Sequence, residues 1–160
     1  MKLKRGSTIF LQVIIVLIAL GVLAGMIKFP QTEGRAANLD LASIYMDPLI
    51  IYVYLASIPF FVGLYQLFKL LGYVDTMIVF SHRAVSAVRN IKYCAVLISG
   101  LVVPGLLYIR FFANGDDPAG PTVLGFFTII IALAIAAAAA IFERLLQNSV
   151  DIKSENDLTV

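Results

Sequence analysis

The sequence predicts an all-α membrane protein with four transmembrane helices and both termini in the cytoplasm (N-in/C-in). An amphipathic cytoplasmic loop helix and a helical extension of the fourth span complete the expected fold. Three observations carry this. Of 160 residues, 61% are hydrophobic and only 14% charged, with a mean hydropathy of +0.95. A water-exposed surface needs more polar cover than that, and lipid as the solvent removes the need. Four uncharged stretches, at about 7–27, 48–68, 93–109 and 119–142, match the roughly 20 residues that cross a hydrocarbon core about 30 Å thick. The lysines and arginines are also lopsided. Lys2, Lys4, Arg5, Lys69, Arg83, Arg89, Lys92, Arg144 and Lys153 fall on one side of these spans, and Lys28, Arg35 and Arg110 on the other. Basic residues mark the cytoplasmic side, so the termini and the middle loop are placed inside.

The first span runs from Ser7 to Ile27 after a basic start. The run from Ile9 to Ile18 has Gln12 as its one polar residue, so it lacks the polar face a soluble bundle helix would carry. Val22-Leu23-Ala24 is like a signal-peptide cleavage site, but the apolar run exceeds the usual 7–15 residues of such a segment, and the helix is expected to stay as a span. Residues 31–46 follow as an outer loop. The second span carries Pro59 and the third Pro104-Gly105, each expected to kink its helix. The third is short, and Lys92 and Arg110 bracket it so that both can reach outward. Residues 114–121 read as a Gly- and Pro-rich turn, in which Asp116 and Asp117 lack the further spaced oxygens of a calcium loop.

Small residues at four-residue spacing, Gly21 with Gly25 and Ala132 with Ala136 and Ala140, favour close helix approach. That approach is expected inside the four-helix domain, with a homodimer as its other use. Gln12 and Ser99 are expected to bond neighbouring helices or their own backbone, and Cys94 to be a small buried residue. With one cysteine there is neither an intrachain disulfide nor a cysteine metal cluster.

The inner face holds the informative residues. Phe80, Ala84, Ala87, Val88 and Ile91 recur at helical spacing behind Ser81, a candidate N-cap, with Arg83, Arg89 and Asn90 opposite. The fourth span continues as Phe142, Leu145, Leu146, Ser149 and Val150 at i, i+3, i+4, i+7 and i+8, with Glu143, Arg144, Gln147, Asn148 and Asp151 on the other face. The loop is basic and the tail acidic. They either pair with each other or present a docking surface, while the basic cluster is thinner than the 4–8 residues usual for anionic lipid.

These cytoplasmic residues resemble a bacterial membrane family called domain of unknown function 2975. The likeness lies in the segment from Phe142-Glu143 through Leu146-Gln147-Asn148-Ser149-Val150-Asp151-Ile152-Lys153 to Val160, and in Phe80-Ser81 through Arg89-Asn90-Ile91-Lys92-Tyr93. Four spans and a short acidic tail fit it along the whole chain. No catalytic residue comes with the resemblance. Members are often encoded beside a small Cro/C1-type helix-turn-helix regulator, which implies a membrane partner that holds or releases a transcription factor.

Enzymatic function is not expected. The chain has no Gly-rich phosphate loop, serine elbow or zinc-protease motif, and His82 is a lone histidine. No ionisable residue lies well inside a span, which counts against a proton-coupled transporter. No cofactor, metal or direct nucleic-acid contact is expected. The leading expectation is an interaction protein of the bacterial cytoplasmic membrane. Its candidate partner-binding residues are Arg83, Arg89, Gln147, Asn148, Glu155, Asn156 and Asp157. The alternative is a small transporter, pore or immunity-type membrane protein depending on Gln12, Pro59, Ser99 or Pro104.

Overall fold

The computed structural model describes residues 5–32, 40–76, 78–112 and 119–158, with positions 5, 29, 32, 41, 75, 112 and 156–158 described by backbone only. The described residues form five helices and no strands. They are α1 (Arg5–Thr32), α2 (Leu41–Tyr45), α3 (Pro48–Asp75), α4 (His82–Phe112) and α5 (Ala119–Leu158). Four of these are long and apolar enough to cross a membrane. Asp116 and Asp117 lie outside the described residues, as do the residues around Arg35.

Local chemistry explains the ends. Asp47 caps α3, its side chain accepting from the Leu49 N–H at 2.7 Å, with Pro48 in the first turn where a missing N–H costs nothing. Ser81 caps α4 as expected. Its carbonyl accepts from the N–H groups of Ala84 and Val85 at 3.0 and 3.2 Å, and its hydroxyl lies 3.4 Å from the Ala84 N–H. The amphipathic loop helix and the third span are therefore one rod. At the other end of the connection, the Thr76 hydroxyl returns to the Gly72 carbonyl at 3.0 Å and closes α3. The expected outer loop carries the short helix α2 instead of being wholly irregular.

Successive long helices run antiparallel: Gly63 meets Cys94 and Gly105 meets Tyr52, Gly125 meets Leu106 while Glu143 meets Arg89, and the end of α1 at Met26 meets the start of α3 at Tyr54. The termini of α1 and α5 thus share one end of the molecule with the α3–α4 connection. Contacts run from α1 to α3, α3 to α4 and α4 to α5, with α2 touching α1 and α3. No contact of comparable extent closes α5 back onto α1. Among the described residues the four long helices form an open row and not the closed bundle that four spans suggest. Lipid tails are as apolar as leucine, so no hydrophobic force draws the row shut, and only surfaces that pack well adhere.

The best-packed surface is between α4 and α5. Ala132, Ala136 and Ala139 are buried there, and Val150 is buried further along the same face of α5. Their phase runs 132, 136, 139, 143, 146, 150, the alternating four-and-three spacing of a helix seam. On α4, Ala84, Val88 and Ala95 are buried in the matching register. This corrects the expected tail stripe. Leu146 and Val150 do turn inward, but Phe142 and Leu145 are exposed, and Phe80 is exposed ahead of α4. The alanine register, continued, puts Glu143 in the seam.

Candidate functional site

α4 and α5 meet near the termini end around Glu143. Its Oε1 accepts from Arg89 Nε and its Oε2 from Lys92 Nζ, each at 2.6 Å. The Glu143 side chain retains 12% of its exposure, against 49% for Arg89 and 25% for Lys92. One shielded carboxylate therefore splices two cations of α4 onto α5, a charge-assisted pair of bonds stronger than its neutral counterpart. Beside it Gln147 donates from Nε2 to Asp151 Oδ1 at 2.9 Å, one turn along α5. Arg89, Lys92, Glu143, Arg144, Gln147 and Asn148 surround a polar cavity of about 340 Å³, with Ala140 at its membrane end.

Of the candidate partner-binding residues, the fold brings together Arg89, Gln147 and Asn148 in this cavity. Arg83 stands apart, exposed on the first turn of α4, and Glu155 is exposed near the end of α5. The side chains of Asn156 and Asp157 lie outside the described residues. The expected pairing of basic loop with tail occurs at Glu143, the first residue past the uncharged run. Sequence reasoning set Glu143 on the solvent face and passed over Lys92 as a pairing residue. The expected line of Ala132, Ala136 and Ala140 projects to position 144, whereas the buried line runs through Ala139 and so reaches 143; alanine at every position from 136 to 140 leaves that choice open in the sequence.

A second polar feature holds α1 to α3 at the opposite end. Pro30 lies inside α1 and has no N–H for the carbonyl four residues earlier, that of Met26. The Tyr54 hydroxyl donates to that carbonyl at 2.8 Å. Tyr45 donates to the Ile27 carbonyl at 2.8 Å, and Gln31 donates to the Tyr45 hydroxyl at 2.8 Å. Tyr52 of α3 donates to the Leu101 carbonyl of α4 at 2.5 Å, three residues before Pro104.

The remaining intramembrane candidates are served locally. Ser99 is buried and donates to its own Val96 carbonyl at 2.8 Å, and no buried side-chain nitrogen or oxygen among the described residues lacks a partner. Cys94 is buried beside Gly63. Pro59 borders an apolar cavity of about 370 Å³ between α3, α4 and α5, with Phe60, Leu64, Ile98 and Ile131 among its walls. No group of three or more His, Cys, Asp or Glu that could hold a metal occurs among the described residues.

Comparison with known proteins places the chain. The profile of the family described as protein of unknown function (DUF2975) matches residues 30–160. The chain belongs to this family. The DUF2975 match begins at Pro30, so nearly all of α1 precedes it. The uncharacterized membrane protein YoaS of Bacillus subtilis (strain 168) is 43% identical over 160 residues, covering 99% of this chain and 100% of that protein. No solved structure matches the chain. The family expected from the tail and the α4 start is thus the one found, and the chain is a membrane protein of DUF2975.

Proposed function

We infer that the protein is a membrane-anchored docking protein of the bacterial cytoplasmic membrane, with N-in/C-in topology, whose inner end binds a small cytoplasmic helix-turn-helix regulator. Among the described residues, Arg5, Lys69, Arg83, Arg89, Lys92, Arg144 and Lys153 belong to the end that carries the termini, against Lys28 and Arg110 at the other, which supports placing that end inside. The observation that carries the docking reading is α5. Its 40 residues span about 60 Å, twice the hydrocarbon thickness. Beyond its uncharged run, which ends at the exposed Phe142, the outward face still presents Leu145 and Ile152 at 57% and 60% exposure. A large apolar stripe past the membrane boundary calls for a partner. Asn148 and Glu155, exposed on the same helix, offer polar contacts beside it, and Arg83, Arg89, Gln147, Asn156 and Asp157 are the other candidate partner-binding residues. The association of family members with an adjacent Cro/C1-type regulator supports the kind of partner.

The test is co-purification of the detergent-solubilised full-length chain with its neighbouring regulator, beside a chain truncated after Ser149 and a Leu145→Glu/Ile152→Glu variant. Recovery of the regulator by the full-length chain alone, with all three chains in the membrane fraction, is the expected result. Equal recovery by all three, or by none, would remove the docking role from the tail. The alternative reading, a small transporter, pore or immunity-type protein, draws on the apolar cavity beside Pro59. It predicts solute flux or toxin resistance that survives loss of the tail.

A further inference from the structure

We propose that the polar cavity between α4 and α5 at the termini end is a binding site for a phosphate group, held at the depth of the lipid headgroups. Three features converge on it. The first is charge. Arg89, Lys92 and Arg144 border the cavity with Glu143 as its one carboxylate, which leaves two positive charges unmatched. Arg144 makes no ion pair among the described residues. The second is donor geometry. Two guanidinium groups offer forked N–H donors suited to phosphate oxygens, and the side-chain amide of Asn148 adds a neutral donor one turn beyond Arg144 on α5. The third is depth. The uncharged run of α5 ends at Phe142 and that of α4 begins at Tyr93, so the cavity sits where both helices leave the hydrocarbon. In sequence the basic residues are scattered over 56 positions; only the antiparallel contact of α4 with α5 gathers them. Basic pockets between transmembrane helices take anionic headgroups in this way.

Glu143 makes the site testable. As a purely structural clamp it would join Arg89 to Lys92 and leave the cavity without a ligand. As part of a phosphate site it competes with the ligand for the same two cations, so neutralising it strengthens binding. The proposal stands apart from the regulator-docking reading, because the purified chain tests it with no regulator present.

The experiment reconstitutes the full chain in phosphatidylcholine nanodiscs and titrates two probes separately, phosphatidylglycerol in the disc and inorganic phosphate in the buffer. Bound lipid is counted by native mass spectrometry, and the melting temperature is followed. Arg144→Gln, which leaves the Glu143 bonds in place, is expected to lower the affinity about fivefold, the worth of one basic residue at an anionic surface. Glu143→Gln is expected to raise it by a similar factor while lowering the melting temperature of the ligand-free protein. Lys69→Gln, an exposed position on α3 outside the cavity, is expected to change neither. A response to phosphatidylglycerol alone assigns the site to a lipid headgroup. A matching response to inorganic phosphate assigns it to a soluble phosphate compound. No response to either probe overturns the proposal. So does an equal loss in Lys69→Gln and Arg144→Gln, which would reduce it to diffuse surface charge.

Discussion

The two ends of the helix row are held by different means. α4 and α5 adhere along their length through small residues, and α1 meets α3 through hydroxyl groups aimed at backbone carbonyls. In the first contact Ala132, Ala136 and Ala139 are buried in one seam, and the ion pairs of Glu143 close its end. In the second, a Cβ added at Gly21 or Gly25 would meet nothing within 4 Å, and Tyr54 of α3, with Tyr45 of α2 beside it, reaches across to the carbonyls near Pro30. The difference follows from lipid as solvent. Where backbones approach closely, dispersion holds most of the contact; where they stand off, a polar group spans the gap. The same pattern of small residues at four-residue spacing thus has two outcomes. The α5 alanines pack, while Gly21 lies in open space.

The largest expected effect tests the tight contact. Ala136→Leu forces a branched side chain into the α4–α5 seam and should destabilise the protein by about 1–3 kcal/mol, as overpacking does in other cores. Gly21→Leu, on α1, should change stability by less than about 0.5 kcal/mol. Thermal unfolding in detergent micelles compares them directly. Equal losses would mean that α1 packs as tightly as α5, and the contrast between the two contacts would collapse.

Much of the fold was legible in the sequence, for a physical reason. Uncharged runs of membrane length have few alternatives, so four spans, the cap at Ser81 and the extension of α5 follow from composition and spacing. The order in which the helices pack was not legible, because apolar faces toward lipid and toward protein carry the same residues. Phe142 shows this at one position. Its spacing made it a core residue, and it is exposed because the alanine line fixes the rotation of α5 and turns Glu143 inward instead. The site was half legible. Arg89 with Lys92 on α4 and Arg144 with Gln147 and Asn148 on α5 are each neighbours along a helix, but the two groups meet only through a contact between residues some fifty positions apart. The part played by Pro30 was equally hidden, since the carbonyl it leaves without a donor is named only when Tyr54 is found beside it.

A smaller effect sharpens the loose contact. Tyr54→Phe removes the donor to the Met26 carbonyl and should cost about 0.6 kcal/mol, the average for such bonds between membrane helices. Pro30→Ala supplies an N–H within α1 for the same carbonyl. In that background Tyr54→Phe should cost close to nothing, and the double-mutant cycle reads the difference as a coupling energy. An unchanged cost in the Pro30→Ala background would show that the hydroxyl contributes through packing and not through the carbonyl that Pro30 leaves open.

The smallest effect separates the two tyrosines that serve proline-bearing helices. Tyr52 also donates to a carbonyl near a proline, that of Leu101 before Pro104. The carbonyl deprived by Pro104 is that of Gly100, four residues back, whereas Gly105 keeps an N–H to serve Leu101 along the helix. Tyr52 therefore adds a second donor to an acceptor that already has a partner. Tyr52→Phe should cost less than Tyr54→Phe, below about 0.5 kcal/mol, and Pro104→Ala should leave that cost unchanged. The same unfolding cycle measures it. A coupling between Tyr52 and Pro104 as large as that between Tyr54 and Pro30 would mean that Pro104 has opened the Leu101 carbonyl too, and that α3 is held to α4 in the same way as to α1.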